Sequence, residues 1–334
     1  MSPPRAVTVT APCRADLAGG TLDIWPIGLL HPGSMTVNAA IPVTVELELE
    51  LEGPDGLLDH IGSDGQTRTL SPEHALTDLT AAVAFALMPS GGVTVRVRSQ
   101  ADIGSGLGGS SAYAVALARG LEAVTGSQWR DDALVTLLRD LEARLMSAPT
   151  GVQDHWPPIC GGVLALHLAP GADVVETLEV EPAWVGDRMT VFDTGIAHHS
   201  GMVNWQVIRR RLDGDAATRG RIAAIADAAR RCRKGLLAAD EEAVGEAIAA
   251  EWAARRELAP EVCPPELEAV SAAATEAGAA AVKACGAGGG GSVIVWHSAG
   301  ERTKIVEALE GAAPQGRVVA TEVATEGCRV TGVE

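Results

Sequence analysis

Only three of the 334 residues are lysine (Lys234, Lys283 and Lys304), and rings are nearly as scarce, with one tyrosine, two phenylalanines and seven tryptophans. Positive charge rests on arginine and falls short: 26 basic against 43 acidic residues leave a net charge of −17. A nucleic-acid-binding surface needs a basic stripe to displace counterions, so that class is excluded. No apolar run approaches the ~18–20 residues of a membrane span, and the opening MSPPRAVTVT has no signal-peptide core, so no membrane partner is expected. The six cysteines are scattered without a C-x-x-C pair, which argues against a disulfide framework or a zinc site. The expectation is a reduced, soluble, cytoplasmic chain. What it has in quantity is apolar side chains, 47% of the total, and 38 glycines. That is enough for a large core, and the length suits two domains.

Strand signals come first. Residues 43–52, VTVELELELE, alternate strictly and read as an antiparallel strand with one wet face. VTVRVRS (93–99) alternates too, after a helix candidate near 73–88. Helices are expected over 111–124 and 131–146, and strands at 161–168 and 188–194. Helical composition dominates 202–282, with breaks at Gly214 and around Pro260–Pro265. Strands return at 292–297, 317–323 and 328–333, with a helix near 300–311. The elements mix without a regular βαβα alternation, so the class is α+β. A boundary near 160–185 divides the chain into roughly equal domains, 1–180 and 181–334.

Chemistry concentrates in glycine. GSGLGGSSA (104–112) lies between a strand and a helix. It fits G-x-G-x-x-G through Gly104, Gly106 and Gly109, but no strand ending in an acidic residue follows, as a dinucleotide fold requires. Its spacing also suits a Walker A loop, yet Ser110 stands where lysine is needed. The physics survives both rejections. Glycines let the backbone approach an anion, and the helix start offers free N–H groups with the positive end of its dipole. Ser110 and Ser111 add hydroxyls for phosphate or hydrated magnesium. A second loop, KACGAGGGGSVIVW, packs glycines into 286–291 between a helix and a strand, more than a bare turn needs. Backbone pressed against a ligand or against the first loop is the functional reading. APCRADLAGGTLDIWP (11–26) adds paired glycines after a strand, flanked by charges.

In their order along the chain, 11–26, 104–112 and 283–296, the three segments resemble the signature motifs of the GHMP kinases. RADLAGGTLDIWP and GVQDHWPPICGG (151–162) are most similar to the sugar-kinase branch, of heptose-phosphate and fucose kinase type. The resemblance implies a ribosomal-protein S5-like N-terminal domain, a ferredoxin-like C-terminal domain, and ATP and substrate in the cleft between them. It implies that Gly104, Gly106, Leu107, Gly108, Gly109, Ser110 and Ser111 hold the phosphates, with Gly286, Gly288, Gly289 and Gly290 as the C-terminal glycine loop. Asp154 takes the place of the catalytic aspartate and Arg14 that of the first motif's basic residue. Glu142 corresponds to the magnesium-binding glutamate. The extra Gly109 leaves either serine as the metal-facing hydroxyl, and alignment on SSA favours Ser111. Asp23, Trp25, His155 and Trp156 are expected around the substrate, the tryptophan faces packing on a sugar ring.

The implied activity is ATP-dependent, magnesium-assisted phosphoryl transfer to the hydroxyl of a heptose- or hexose-type sugar, by a monomer or homodimer. A mevalonate- or homoserine-type kinase would need a cation near Asp23 and His155, where the first motif offers only Arg14. A non-catalytic nucleotide- or sugar-binding homologue would show a broken catalytic set. His198 and His199 lack a carboxylate at ligand spacing, so 198–205 reads as a polar loop along the cleft and not as a metal site.

Overall fold

The computed structural model describes residues 5–52, 57–88, 92–99, 104–196 and 201–332. Its first sheet is built on a long antiparallel pair, β1 (Ala6–Ala18) and β2 (Met35–Glu52). The alternation read at 43–52 holds: Val43, Val45, Leu47 and Leu49 are buried, and the glutamates between them face outward. β3 (Leu58–Ile61), β4 (Thr67–Leu70) and β5 (Gly92–Ser99) extend the sheet beyond β2, with β3 parallel to β5. β6 (Val163–His167) pairs with the other end of β2 and carries β7 (Val174–Thr177). Against this sheet lie α1 (Leu79–Leu87), α2 (Gly109–Thr125), α3 (Asp131–Met146) and the short α4 (Trp156–Cys160). Gly120 lets α2 sit close on the sheet, since a side chain there would strike Leu49 and Val9.

After α5 (Pro182–Gly186) comes the second sheet, made of β8 (Met189–Asp193), β9 (Ala281–Ala284), β10 (Ser292–Trp296) and β11 (Arg317–Ala320). Its order is β11-β8-β10-β9, antiparallel throughout. α6 (Gly201–Leu212), α7 (Ala216–Leu237), α8 (Glu241–Arg255) and α9 (Pro265–Glu276) connect β8 to β9, and α10 (Arg302–Ala312) connects β10 to β11. Two strand–helix–strand units interleaved in this order make the ferredoxin-like arrangement. The last strand, β12 (Arg329–Gly332), returns to the first sheet and pairs with β1. Architecture is therefore mixed α+β in two units, as expected, with strands of the first sheet drawn from both ends of the chain.

Two expectations need correcting. The helix near 73–88 is a 3₁₀ turn, Pro72–Leu76, followed by α1, because Asp78 caps a new start by accepting from the Ala81 N–H. The helical stretch to 282 ends instead in β9, a four-residue strand buried on both faces. Among the described residues, no helix is long and apolar enough to cross a membrane.

Candidate active site

β1 alternates between wet and dry faces as far as Ala11 and is then buried on both. Arg14 and Asp16 share one face of it and lie under the surface, 3% and 0% exposed, which charged side chains tolerate only when paired. Arg14 forks onto Asp154, Nε to Oδ1 and Nη2 to Oδ2, both at 2.7 Å. Its third donor, Nη1, meets the Gly106 carbonyl at 2.5 Å, and its backbone N–H donates to the Leu107 carbonyl at 3.0 Å. One strand residue thus ties the aspartate to the glycine loop. Burial opposes the charge on Arg14, but Asp154 beside it overrules this and raises the guanidinium pKa.

In the loop, Gly104, Gly106 and Gly108 have φ of 82°, 74° and 73°, while residues 105 and 107 stay out of that region. This alternation turns successive N–H groups to one side, as in anion-binding nests. α2 begins at Gly109, so its free N–H groups and positive dipole end open on the same space. The second glycine loop joins β9 to β10, not a helix to a strand. It packs against the first: the Ser292 N–H donates to the Ser105 carbonyl at 2.7 Å, and a Cβ on Gly286 would lie 3.0 Å from the Gly106 Cα. Gly286 alone of its expected glycines lines the cleft. Gly288 presses on Val262, the Gly289 N–H donates to the Val262 carbonyl at 2.9 Å, and Gly290 has a φ of 138°.

On α3, Glu142 accepts from Ser110 Oγ at 3.1 Å and from Thr150 Oγ1 at 2.8 Å. Alignment favoured Ser111, but one helical residue is a turn of about 100°, and it swings Ser111 into the core, 2% exposed. Ser110 is the hydroxyl beside Glu142. One carboxylate with one hydroxyl fits magnesium, which fills its shell with phosphate oxygens and water. Among the described residues, no three His, Cys, Asp or Glu side chains converge to enclose an ion by themselves.

Asp23 is buried beside them. Its Oδ2 accepts from the Gln153 N–H at 3.0 Å, and Gly151 comes so near that a Cβ would lie 1.8 Å from that oxygen. Its Oδ1 has no partner. Burial outweighs the Gln153 bond and, with the charges of Asp154 and Asp16, pushes the pKa up to about 7. The neighbours of the two aspartates behave otherwise. Trp25 and Trp156 line a separate cavity that shares only Asp23 with the cleft. His155 is buried with neither ring nitrogen partnered, and burial lowers its pKa, so it is a neutral core residue. None of the three lines the cleft, since adjacent residues in a turn or helix start face different ways.

The cleft itself encloses about 1050 Å³. Arg14, Asp23, Ser110, Glu142, Thr150 and Asp154 contribute its polar lining. His60, Leu79, Val97 and Tyr113 give it an aromatic and apolar part, with His60 and Tyr113 edge to face at 6.5 Å. Asn204 also lines it, whereas His198 and His199 lie outside the described residues. The sequence missed Arg255. This residue ends α8, lines the cleft, and donates from Nη1 to Asp16 Oδ2 at 2.8 Å and to Glu251 Oε1 at 3.3 Å. Lys283 on β9 meets the same two oxygens at 3.0 and 3.6 Å. No local signal could have grouped them, because Arg255 and Lys283 stand 239 and 267 residues from Asp16.

Comparison with known proteins agrees with this geometry. The family model for the GHMP kinases N-terminal domain matches residues 74–162, and that for the GHMP kinases C-terminal region matches 232–315. A bifunctional fucokinase/GDP-fucose pyrophosphorylase of Arabidopsis thaliana is 24% identical over 325 residues, covering 90% of this chain. The chain spans about 31% of that relative's length. Among solved structures, Lactococcus lactis galactokinase complexed with galactose superimposes with a TM-score of 0.80 at 14% identity, over 98% of this chain and 95% of the other. A D-glycero-D-manno-heptose 1-phosphate kinase from Bacteriodes thetaiotaomicron gives 0.74 at 19% identity, over 98% and 99%.

Proposed function

Because the chain belongs to the GHMP kinases, we propose that it transfers the γ-phosphoryl group of ATP to a sugar hydroxyl in the cleft beside Asp154. The observation that carries this reading is the Arg14–Asp154 fork, fastened by the same arginine to the glycine loop. Phosphoryl transfer asks for in-line positioning and charge neutralisation more than for covalent chemistry. The loop amides and the start of α2 bind the triphosphate, with the base against His60, Leu79, Val97 and Tyr113. Glu142 and Ser110 would hold Mg²⁺, which supplies charge neutralisation on the phosphates. Arg14 orients the Asp154 carboxylate and adds fixed positive charge where phosphoryl charge accumulates. Asp154 accepts the acceptor hydroxyl's proton on a carboxylate oxygen, directly or late in the transfer. Asp23 lines the cleft beside Asp154 and offers hydrogen bonding to a second hydroxyl. The catalytic set is complete, which favours an enzyme over a non-catalytic homologue.

The sequence relative, a fucokinase, favours the same acceptor class, whereas the fold is shared with mevalonate and homoserine kinases as well as sugar kinases and does not choose between them. Arg255 is the cation that a carboxylate acceptor such as mevalonate or homoserine would need, but its Nη1 is already committed to Asp16 and Glu251, at 2.8 and 3.3 Å. ADP release with Mg·ATP across hexoses, 6-deoxyhexoses, heptoses, heptose phosphates, mevalonate and homoserine tests the reading. Turnover with a sugar or sugar phosphate is expected, and turnover only with mevalonate or homoserine sinks the sugar acceptor.

A further inference from the structure

Arg255 closes α8 and is only 3% exposed, yet it lines the cleft. Its Nη1 is spent on Asp16 and Glu251, which leaves the donors on Nε and Nη2. Neither of these has a partner among the described residues. Arg210 Nε and Arg302 Nε also lack partners, but they are sealed inside the protein, whereas the free nitrogens of Arg255 keep accessible surface where it lines the cleft. Buried polar groups normally find partners in protein, water or ligand. The first motif fixes where this guanidinium sits. A Cβ on Gly20 would lie 2.6 Å from both Nη1 and Nη2 and 2.3 Å from Asp16 Oδ2, so glycine is what leaves it room. Thr21 and Asp23, which follow Gly20, line the same cleft. Burial opposes the charge on Arg255, but Glu251, Asp16 and Asp23 overrule this and raise its pKa.

The surroundings choose what those donors meet. The guanidinium lies against the turn that carries Asp23, while the glycine loop has its own arginine in Arg14. Arg255 therefore belongs to the acceptor's end of the cleft and not to the triphosphate's. The charges of Asp154 and Asp16 both reach Asp23, so a phosphate or carboxylate carried on the acceptor would meet carboxylates there. A hydroxyl has no such difficulty, since it accepts from a guanidinium and donates to a carboxylate. On the premise of a sugar acceptor in this cleft, we infer that Arg255 is a specificity-determining residue, donating to one hydroxyl of an unphosphorylated sugar while Asp23 accepts from another. The two residues read a polyol by opposite halves of the hydrogen bond. An acceptor that lacks the hydroxyl facing Arg255 leaves a buried charged group unpaired, and such a site rejects it. The class of acceptor is thereby a neutral sugar with at least two hydroxyls besides the one phosphorylated.

Arg255→Lys keeps a cation for Asp16 and Glu251 but has no second nitrogen to offer the cleft. Isothermal titration measures the binding of L-fucose, D-galactose and D-mannose, of their monodeoxy derivatives, of D-mannose 6-phosphate and of Mg·ATP, with thermal unfolding as the check on folding. At least one parent sugar is expected to bind Arg255→Lys about tenfold or more weaker than the wild type, with Mg·ATP affinity held within about twofold. The wild type should bind one monodeoxy form of that sugar about tenfold or more weaker than the parent, and Arg255→Lys should no longer tell the two apart. A merely structural role would not erase that discrimination, because a distorted pocket weakens parent and deoxy sugars alike. If Arg255→Lys does not fold, Asp16→Asn combined with Arg255→Gln removes one charge of each sign and carries the same comparison. A folded variant that keeps the parent's affinity, weakens the parent and every deoxy form by one factor, or loses Mg·ATP instead overturns the assignment. Wild-type binding confined to D-mannose 6-phosphate overturns it too. A wild-type chain that binds Mg·ATP and none of the sugars removes the sugar acceptor itself, whereas sugar binding left intact by Arg255→Lys removes the role of Arg255 alone.

Discussion

At the scale of single residues the two aspartates of the cleft sit in different surroundings. Asp154 is fixed by Arg14 and half open to the cleft, so it can exchange a proton with an acceptor. Asp154→Asn should keep the fold and ATP binding but lose about 10²–10⁴-fold in turnover, the usual scale for a general base; a folded variant with near-normal rate removes it from the mechanism. Asp23 instead has a pKa pushed by burial from 3.8 to about 7. Across that window the folded chain keeps a proton that the unfolded chain has released, so stability falls as pH rises through it and levels off above. The gap sets a ceiling of about 4 kcal/mol. Asp23→Asn carries no such proton, so thermal unfolding should show the variant gaining on the wild type between about pH 4 and about pH 7. Parallel pH curves for the two proteins would contradict the raised pKa. Arg14, Asp154 and Glu142, named from motifs and their spacing, do come together along the cleft. Trp25, His155 and Trp156 were misread, because adjacency to a functional aspartate says nothing about which way the next side chain points.

At the scale of elements, patterned segments were legible and short ones were not. β2 shows its wet and dry faces residue by residue over 43–50, though not over 35–41, which is buried on both, and α3 begins and ends where its sequence suggests. β9 is four residues long, buried on both faces, and includes Lys283, so it carries neither alternation nor an apolar run. β3, β4 and β7, also four residues each, were equally silent. The start of α2 matters most for chemistry, since a one-residue phase decides which serine meets Glu142. Ser110→Ala and Glu142→Gln should each raise the magnesium concentration for half-maximal rate several-fold, each removing an oxygen ligand or its hydrogen bond. Ser111→Ala should leave that concentration unchanged and lower thermal stability, because its hydroxyl is packed in the core. The reverse pattern would restore the alignment on SSA and displace Ser110.

At the scale of the whole molecule, the two sheets meet at a buried cluster of four ionisable side chains. Asp16 comes from the first sheet, Lys283 from the second, and Glu251 and Arg255 from α8. Burial would raise Asp16, but Lys283 and Arg255 overrule it and hold the carboxyl below its ordinary range. For Glu251 burial wins over the same two cations and its pKa rises, so it tends toward the neutral acid. The members are therefore unequal. Lys283→Met removes a cation from an ionised, wholly buried Asp16, and breaking such a pair costs about 3–5 kcal/mol. Glu251→Gln keeps the shape of a carboxyl whose charge burial already disfavours, and it should cost under about 1 kcal/mol, near the net worth of a single hydrogen bond. Urea unfolding of the two variants measures the difference directly, in midpoints at unchanged slope. Equal losses would mean that Glu251 is ionised in the folded chain and the cluster is a balanced quartet. Because Arg255 from this cluster also lines the cleft, Lys283→Met should raise the acceptor KM more than the ATP KM. A variant that loses stability while both KM values hold would confine the cluster to joining the two sheets.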